Sequence, residues 1–456
     1  MSFIEKARDV IGAKNVLTGP DAAPYGSDWT GKYTAEPLCV LRPANTAEVS
    51  SLLALAHETE TTVVPVSGNS GLSGGTHAPL AAMLSLERLN TIRDVNAAAR
   101  TATVEAGVIL QTLRERVAED GLTFPVTFGA QGTARIGGIL STNAGGSNVL
   151  RYGNTRAQVL GVEVVLADGR IMDLMTALHK DNTGYDLKDL VIGAEGTLGI
   201  ITAAVVKLAA MPAAFHTAMI APTSLEAATR VLNQLQAATG GAVEAFEYMP
   251  RDYIEAHIAK LGGREPFETP QDVNVMVEVA GAPDLSEVFE EVLGAALERG
   301  DVLDATVAQS DSQRQDMWAR REAAAEIAFG RSPFVMTDIA LPLDKLGAFF
   351  TDIRTVLADL DPEAQDTSVA HLGDGNIHYV VYPSREDAAL NDLILTAVED
   401  TVNTFGGSFS AEHGVGLSKL PSMARQKDPV ALDVMRAIKA ALDPKGILNP
   451  GKVIPN

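Results

Sequence analysis

Two glycine-rich stretches in the first third of the chain constrain its fold more than any other feature. Residues 65–75 read Pro-Val-Ser-Gly-Asn-Ser-Gly-Leu-Ser-Gly-Gly, and residues 129–146 are again rich in glycine and small side chains. Glycine lets consecutive backbone N–H groups point into one concavity that binds phosphate, and it lets the backbone approach a ligand closely. A long, flat ligand such as a dinucleotide suits this pair of stretches.

The first stretch lacks the common nucleotide-binding signatures. No Gly-Lys-Ser/Thr follows it, which excludes a Walker loop, and it has no G-x-G-x-x-G opening a helix as in nicotinamide-binding Rossmann units. Taken alone, residues 65–75 could equally be an ordinary glycine-rich turn, and the sequence pattern leaves both interpretations open.

Periodicity predicts strands alternating with helices around both stretches. A helix is expected from Thr46, its N-cap, to Thr59, and another from Ile109 to Glu119. Asp168-Gly169 signals a hairpin turn. Strands are expected at 38–41, 62–66, 101–106, 162–166 and 170–174.

Beyond Met211-Pro212 the pattern changes to long amphipathic segments that alternate with β runs. Helices are expected at 224–238 and 285–299, and strands at 217–220 and 273–279. This alternation predicts a separate α+β domain.

Length and charge narrow the classes of protein. A chain of 456 residues predicts two or three domains. The net charge of 36 − 58 = −22 argues against nucleic acid and anionic membranes as partners. The single cysteine, Cys39, excludes an internal disulfide framework and a cysteine-ligated iron–sulfur cluster. Residues 1–10 lack the apolar core of a secretory signal, and no run reaches the ~20 apolar residues of a membrane span. We therefore expect a cytoplasmic protein.

Two short motifs in the last quarter of the chain carry imidazole and carboxylate groups. His371 and His378 enclose Leu-Gly-Asp-Gly-Asn-Ile, and Glu412 and His413 lie between small residues. Two neutral imidazoles and a carboxylate suit Zn²⁺, or Mn²⁺ and Fe²⁺ at lower affinity, and leave coordination positions open for a substrate. Spacing alone leaves a second interpretation, in which His371 and His378 are loop residues bonded to backbone carbonyls.

The motifs, in their order, resemble those of the FAD-linked D-2-hydroxyacid dehydrogenases. That family includes D-lactate and D-2-hydroxyglutarate dehydrogenases and the flavin subunit of glycolate oxidase, within the vanillyl-alcohol oxidase and para-cresol methylhydroxylase superfamily. The resemblance covers nearly the whole chain. It rests on the stretches at residues 65–75, 141–146, 181–187, 193–202, 371–378, 411–416 and 442–452.

The resemblance implies an α+β fold in three parts. These are a bipartite para-cresol methylhydroxylase (PCMH) type FAD-binding domain over residues 1–212, an α+β cap with an antiparallel sheet over 213–405, and a C-terminal segment, 406–456, that returns to the flavin. Flavin attached through a histidine is not expected, because Ser67, Gly68 and Asn69 stand where some relatives carry that histidine. We therefore expect non-covalent FAD.

The resemblance also implies which residues act. His371, His378 and Glu412 would hold a divalent metal, zinc first, that chelates the substrate carboxylate and hydroxyl. His413 would take the hydroxyl proton, and hydride would pass to flavin N5. Arg321 would bind the substrate carboxylate, whereas Arg320 is expected to be a solvated charge. The expected FAD-contacting residues are Pro65, Val66, Ser67, Gly68, Asn69, Ser70, Gly71, Leu72, Ser73, Gly129, Gly132, Gly137, Gly138, Ser141, Asn143, Gly145, Glu195, Gly199, Ile200, Ile201 and Asn449.

Three positions depart from the D-2-hydroxyglutarate pattern. Met336 stands in place of a substrate-contacting Lys, Val380 in place of an Asn, and Ala325 in place of a Thr. Removing a cation and two polar groups leaves a distal carboxylate unpaired. A monocarboxylic, D-lactate-like substrate is therefore favoured, with D-2-hydroxyglutarate as the alternative.

Other classes remain open beside this one. They are a metal-independent flavin alcohol oxidase of the superfamily, an enzyme that uses the fold for non-redox chemistry, and a flavin-binding subunit without catalysis. Electrons are expected to pass to an external acceptor such as an electron-transfer flavoprotein, a quinone, a cytochrome or an iron–sulfur subunit. We also expect a homodimer.

Overall fold

The computed structural model describes residues 1–455, which form two compact units. The first unit comprises Met1–Gly145, Gly153–Met211 and the chain from Glu412 onward, and the second comprises Gly146–Tyr152 and Pro212–Ala411. The chain thus passes from one unit to the other near the expected boundary at 212, and again after Ala411. Residues 406–411, expected in the C-terminal segment, belong to the second unit.

The helices and strands are numbered in chain order. The helices are α1 (Phe3–Ile11), α2 (Thr46–Thr59), α3 (Leu110–Ala118), α4 (Ile136–Thr142), α5 (Val149–Tyr152), α6 (Leu187–Val191), α7 (Leu225–Thr239), α8 (Arg251–Leu261), α9 (Leu285–Glu298), α10 (Asp311–Glu322), α11 (Ala324–Ala328), α12 (Leu346–Leu360), α13 (Ala388–Thr404), α14 (Leu420–Gln426) and α15 (Pro429–Leu442). The strands are β1 (Val16–Leu17), β2 (Cys39–Leu41), β3 (Val63–Val66), β4 (Ala82–Ser85), β5 (Ile92–Asn96), β6 (Thr101–Glu105), β7 (Leu122–Thr123), β8 (Val159–Val165), β9 (Ile171–Leu174), β10 (Ile200–Lys207), β11 (Ala209–Ala210), β12 (Ala214–Pro222), β13 (Val243–Pro250), β14 (Val273–Gly281), β15 (Val302–Val307), β16 (Val335–Ala340), β17 (Gln365–His371) and β18 (Asn376–Tyr382).

The first unit contains two main sheets. One has the order β1-β2-β4-β3, in which β4 runs parallel to β2 and to β3. Helix α2 connects β2 to β3 and buries Val49, Leu52 and Leu53 against this sheet. Two strands that run in the same direction, as β2 and β3 do on either side of β4, require such a crossover, and the predicted β-helix-β pattern is confirmed. The helix begins one residue earlier than predicted, because the side chain of Asn45, not of Thr46, accepts the Glu48 N–H.

The second sheet of the first unit is antiparallel, with the order β5-β6-β10-β8-β9. Strand β10 is buried along Ile200–Val206, so its sequence is a continuous apolar run rather than an alternation. The hairpin between β8 and β9 turns at Gly169, whose φ of 87° lies in the left-handed region. The hairpin predicted from Asp168-Gly169 is confirmed.

The second unit is built on one seven-stranded antiparallel sheet, in the order β15-β12-β14-β13-β17-β18-β16. Helices α7, α9, α12 and α13 cover one face, where Phe289, Phe349 and Tyr379 form the centre of a large apolar core. Helices α8, α10 and α11 pack on the other face, against Met249, Met276 and neighbouring residues. The predicted α+β domain with an antiparallel sheet is confirmed. Within residues 1–455, no helix is both long and apolar enough to cross a bilayer.

Candidate active site

His371 and His378 lie on neighbouring strands of the second unit rather than in a loop. His371 is the last residue of β17, and His378 is the third residue of β18. The register pairs His371 with Asn376 and Val369 with His378, so both imidazoles project from the same face of the sheet. Their ring centroids are 5.5 Å apart at an angle of 81°. The turn between the strands thus brings the two rings together, as the spacing predicts.

A buried carboxylate holds His371 from the next strand. Glu247 on β13 is directly opposite His371, and its side chain is fully buried. His371 Nδ1 lies 2.8 Å from Glu247 Oε2 and 2.9 Å from Oε1, and Arg321 Nε donates to Oε2 at 2.7 Å. Burial raises the pKa of Glu247, but its interactions with His371 and Arg321 outweigh that effect, so the pKa lies below its ordinary value.

Arg321 lies beside His371, whereas Arg320 differs from the expectation. Arg321 on α10 is 7% exposed and reaches the face that carries His371. Arg320 is part-buried rather than solvated, and its Nη2 donates to the Arg264 carbonyl at 2.8 Å. The prediction that Arg320 is a solvated charge is therefore wrong. Helix α10 packs closely enough against the loop at Arg264 to cover that side chain.

His378 is also next to a carboxylate. Asp338 on β16 is opposite His378 in the register, is 2% exposed, and lies 3.8 Å from His378 Nδ1 through its Oδ1 atom. Asn376 donates to that oxygen at 2.9 Å, which fixes the carboxylate. The backbone N–H of Ala411 donates to the Asp338 carbonyl at 3.1 Å, and Glu412 is the next residue in the chain.

An apolar patch adjoins the two histidines on the same sheet face. Met336 is directly opposite Val380, one alternation along the strands from the Asp338–His378 pair. Val380 is 3% exposed and packs with Ala328 and Tyr382, and Met336 and Phe334 border this group. Two of the three positions predicted to depart from the D-2-hydroxyglutarate pattern, Met336 and Val380, thus belong to one patch. The third, Ala325, is exposed on α11 and outside the patch.

In the first unit, the loop that carries Glu412 and His413 is held by hydrogen bonds to Ser73. Glu412 Oε1 and His413 Nε2 are 3.3 Å apart, and both side chains are about one-fifth exposed. Ser73 Oγ donates to the His413 carbonyl at 3.1 Å, and the Ser73 carbonyl accepts the N–H of Leu417. The loop therefore bonds to the glycine-rich stretch at residues 65–75.

Glu195 also holds this loop, through hydrogen bonds to its backbone. Its carboxylate accepts the N–H of Val415 at 2.7 Å and of Gly416 at 2.9 Å. Burial raises the pKa of Glu195 above its ordinary value, and the two N–H groups oppose that shift. Asn449 Nδ2 donates to the Glu195 carbonyl at 2.7 Å. In this arrangement Glu195 bonds to the backbone of the loop, a role that the sequence pattern did not indicate.

The residues expected to contact FAD all lie in the first unit, and several have the features of a ligand site. Within residues 1–455, Ser67 Oγ and Asn449 Oδ1 are buried and lack a hydrogen-bond partner. A Cβ at Gly71 or Gly129 would meet no atom within 4 Å, so the backbone there is open to a ligand. A bound phosphate or carbonyl-rich ring system would satisfy the buried hydroxyl and the open N–H groups. These residues therefore fit FAD.

Other positions in that set serve internal packing as the chain stands. A Cβ at Gly68 would lie 2.4 Å from the Thr133 carbonyl oxygen, and one at Gly199 would lie 2.6 Å from Val164. Asn143 Oδ1 accepts the Arg156 N–H, and Ile200 and Ile201 are buried in β10. Direct contact of these residues with FAD stays a prediction.

The groups around His371 and His378 also fit a divalent cation. A carboxylate is only a hydrogen-bond acceptor, so the bond from His371 to Glu247 places a hydrogen on Nδ1, and in the neutral ring the lone pair then lies on Nε2, 3.4 Å from Arg321 Nη2. Imidazole and carboxylate donors suit zinc, manganese or iron(II). Sequence reasoning missed Glu247 and gave Asp338 no role. The only sequence signal for Glu247 is an acidic residue inside an apolar strand, Val-Glu-Ala-Phe-Glu-Tyr-Met-Pro.

Comparison with known families agrees with this architecture. Residues 37–175 match the FAD binding domain family, and residues 211–453 match the family described as FAD linked oxidases, C-terminal domain. Together these matches cover most of the chain, and they show that it binds FAD.

Two D-2-hydroxyglutarate dehydrogenases are similar to this chain over nearly its whole length. The chain is 36% identical over 454 residues to a D-2-hydroxyglutarate dehydrogenase of Xanthomonas citri pv. viticola, covering 98% of this chain and 95% of that one. It is 37% identical over 451 residues to the mitochondrial D-2-hydroxyglutarate dehydrogenase of Bos taurus, covering 96% and 81% of the two chains.

Solved structures share the fold at low identity. para-Cresol methylhydroxylase with substrate bound superposes with a TM-score of 0.77 at 17% identity, covering 100% of this chain and 96% of that one. An alkyldihydroxyacetonephosphate synthase superposes with a TM-score of 0.76 at 18% identity, covering 99% and 86%. These likenesses concern the fold alone and confirm its PCMH type. From its motifs, its fold and its relatives, the chain belongs to the family of FAD-dependent D-2-hydroxyacid dehydrogenases.

Proposed function

We propose that the protein oxidises a monocarboxylic D-2-hydroxyacid to the 2-oxoacid with the help of a divalent metal on His371, His378 and Glu412. The apolar patch at Met336 and Val380 supports the choice of substrate, since it adjoins the Asp338–His378 pair on the same sheet face. The second carboxylate of a dicarboxylic substrate would lose its hydration on that patch. Because Met336 is uncharged, no ion pair would replace the lost hydration, at a cost of several kcal/mol.

In this proposal Arg321 binds the substrate carboxylate. Glu247 takes its Nε hydrogen bond and holds the guanidinium in place, so other N–H groups of Arg321 can form charge-assisted hydrogen bonds with the substrate. Burial strengthens these bonds, because little water competes at a side chain that is 7% exposed. Arg321 would thereby orient C2 and its hydroxyl group.

His413 is the proposed proton acceptor for the substrate hydroxyl. Its imidazole is partly exposed and lies beside Glu412, a carboxylate that stabilises the imidazolium after proton transfer. The neutral form of the imidazole is required before transfer. When bound, the metal on His371, His378 and Glu412 would lower the pKa of the substrate hydroxyl, the chemistry for which such ions are known. When bound, FAD would accept the hydride from C2.

Glu412 is proposed as the third ligand from the motif resemblance. Glu412 directly follows Ala411, whose N–H is bonded to Asp338, the cross-strand neighbour of His378. The bonds from Ser73 and Glu195 to residues 413–417 further restrict this loop. Ser67, Gly68 and Asn69 offer no imidazole for covalent attachment, so we propose that FAD is held non-covalently.

D-2-Hydroxyglutarate is the second candidate substrate, and two observations favour it. The relatives described above are D-2-hydroxyglutarate dehydrogenases. Arg331 borders the apolar patch, with its guanidinium 4.9 Å from the centre of the Tyr382 ring and a bond to Gln365. The Arg331 guanidinium is exposed and could pair with the distal carboxylate of D-2-hydroxyglutarate, which the uncharged Met336 cannot do.

Anaerobic bleaching of the flavin tests both proposals. The purified holoprotein would be mixed with D-lactate, longer apolar D-2-hydroxyacids, D-2-hydroxyglutarate and L-lactate, before and after chelation and after Zn²⁺ or Mn²⁺ is restored. We expect fast bleaching by a D-monoacid, loss of bleaching on chelation and recovery with metal. Preference for D-2-hydroxyglutarate that Arg331→Ala removes would establish the second candidate. Bleaching that resists chelation would refute the metal.

A further inference from the structure

Glu247 is the fully buried carboxylate that contacts both a proposed metal ligand and the proposed substrate-binding arginine. Its side chain is 0% exposed, and it bonds to His371 Nδ1 and to Arg321 Nε. The Nη2 atom of Arg321 is 3.4 and 3.5 Å from the two ring nitrogens of His371, which is a longer contact than either bond to Glu247. Glu247 is therefore the closest polar partner of both side chains among these contacts.

The position of Glu247 follows from strand pairing. It faces His371 directly across the β13–β17 ladder, where opposed Cβ atoms lie ~4.5–5.5 Å apart. A side chain at that distance has little freedom to turn away, and the strand backbone fixes the direction from which the carboxylate approaches the ring. The contact therefore does not depend on a mobile loop.

The chemical consequence concerns the tautomer of His371. An ionised carboxylate only accepts hydrogen bonds, so the ring nitrogen that faces it must carry the hydrogen. In the neutral ring the hydrogen on Nδ1 places the lone pair on Nε2, the nitrogen that a cation would need and that Arg321 Nη2 approaches at 3.4 Å. An imidazole without this partner would divide its population between two tautomers and several ring orientations.

We infer that Glu247 is a positioning residue that presents His371 Nε2 to the metal and holds Arg321 in its substrate-binding orientation. The inference rests on the metal site proposed above. Glu247 touches neither substrate nor metal in this scheme and acts through its two neighbours. Because one carboxylate holds both, its loss is expected to weaken metal binding and substrate binding together.

The same sheet supplies a matched control. Glu278 on β14 is 2% exposed and accepts hydrogen bonds from Arg314 at 2.6 and 2.7 Å and from Trp318 at 2.9 Å. It resembles Glu247 in burial and in having an arginine partner, but its hydrogen bonds involve no histidine. Glu278→Gln therefore reproduces the loss of a buried charge in this sheet without touching His371.

The test compares metal affinity in three variants of the full-length, FAD-loaded protein. After chelation and dialysis, Zn²⁺ and Mn²⁺ would be titrated by calorimetry into wild type, Glu247→Gln, Glu278→Gln and His371→Ala. We expect Glu247→Gln to lower the affinity about 10- to 100-fold, as removal of such hydrogen-bond partners does in other metal sites. Glu278→Gln should leave it within about twofold, and His371→Ala should remove binding.

The outcomes separate this inference from the proposed function. Wild-type affinity in His371→Ala would refute the metal site itself. Loss in His371→Ala with wild-type affinity in Glu247→Gln would refute only the role of Glu247. If Glu247→Gln does not fold, nitrogen NMR of ¹⁵N-histidine-labelled, metal-free wild type gives the tautomer directly. A resonance that His371→Ala removes should report hydrogen on Nδ1, and hydrogen on Nε2 would overturn the inference.

Discussion

At the scale of single side chains, Met336 carries the prediction about substrate choice. It lies in β16 opposite Val380, beside the pair formed by Asp338 and His378. Sequence comparison by motif placed Met336 and Val380 at substrate-contacting positions, and the structure shows that these two residues are cross-strand neighbours. The same reasoning placed Ala325 with them, but Ala325 is exposed and outside the patch. The positions of Met336 and Val380 were easier to predict because both lie on strands whose register fixes which residues face each other.

Met336→Lys should shift substrate preference toward the dicarboxylic acid. An ammonium group at the end of a flexible apolar stem can reach a distal carboxylate, and its stem keeps contact with Val380. We expect the ratio of kcat/KM for D-2-hydroxyglutarate over D-lactate to rise about tenfold, which corresponds to ~1.4 kcal/mol. Flavin reduction kinetics with both acids would measure it.

Met336→Leu is the control, since it keeps the patch apolar at similar volume. Its preference should match that of wild type. An unchanged ratio in Met336→Lys, in a variant that unfolds at the same temperature as wild type, would contradict the assignment of this patch to substrate selection.

At the scale of elements, the loop from Glu412 to Ser418 shows how a functional segment is fixed without regular structure. Gly414 has a φ of 74°, and a Cβ there would lie 2.7 Å from Glu195 Oε1. Ser73 and Glu195 bind the backbone of the loop on either side of this residue. The sequence shows Gly414 and Gly416 but not why glycine is needed there: a Cβ at Gly414 would meet the Glu195 carboxylate, and one at Gly416 would meet the Ser73 carbonyl.

Gly414→Ala should slow flavin reduction more than it lowers stability. The left-handed backbone costs an alanine ~1–2 kcal/mol. The clash with the Glu195 carboxylate must either displace the loop that carries Glu412 and His413 or break the hydrogen bonds that Glu195 accepts from Val415 and Gly416. We expect flavin reduction to slow at least tenfold, measured by stopped flow, and the thermal midpoint to fall by a few degrees.

Gly446→Ala provides the comparison, because its φ is 63° but a Cβ there would meet nothing within 4 Å. It should lose similar stability and keep the rate of flavin reduction. Equal loss of rate in both variants would show that backbone strain, rather than displacement of this loop, is responsible.

At the scale of the whole molecule, the single cysteine reports on the opening of the first unit. Cys39 in β2 is 0% exposed, and burial raises the pKa of its thiol to about 12. The reactive thiolate is therefore scarce at neutral pH, and a reagent reaches it only when the sheet opens. Labelling of Cys39 thus measures the stability of the FAD-binding unit in the intact chain.

Labelling with iodoacetamide should be slow in the native protein and slower still with FAD. A ligand at one hundred times its dissociation constant stabilises the folded state by ~2.7 kcal/mol, so labelling that requires global unfolding should slow about 100-fold. Mass spectrometry against time gives the rate, with protein in strong denaturant as the reference. Rapid labelling of the native state, independent of FAD, would mean that β2 opens locally.

Local rules made much of this fold predictable from sequence. Caps, turn glycines and hydrophobic period act within a few residues, and the predicted α2, α7 and α9, together with the β8–β9 hairpin, agree with the structure to within a few residues. The proximity of His371 and His378 was likewise predictable, because both belong to one hairpin.

Only the tertiary structure decided what surrounds these residues. Glu247 meets His371 across 124 positions of chain, and Glu195 meets Val415 across 220. Nothing local marks such partners, since they depend on which strands become neighbours and in which register, and on which backbone groups are left to bond. Pairing over these distances is set by burial of the whole sheet and core. The sequence by itself therefore determined the elements and the motifs. The packed molecule determined which residues hold the histidines, the arginine and the loop in place.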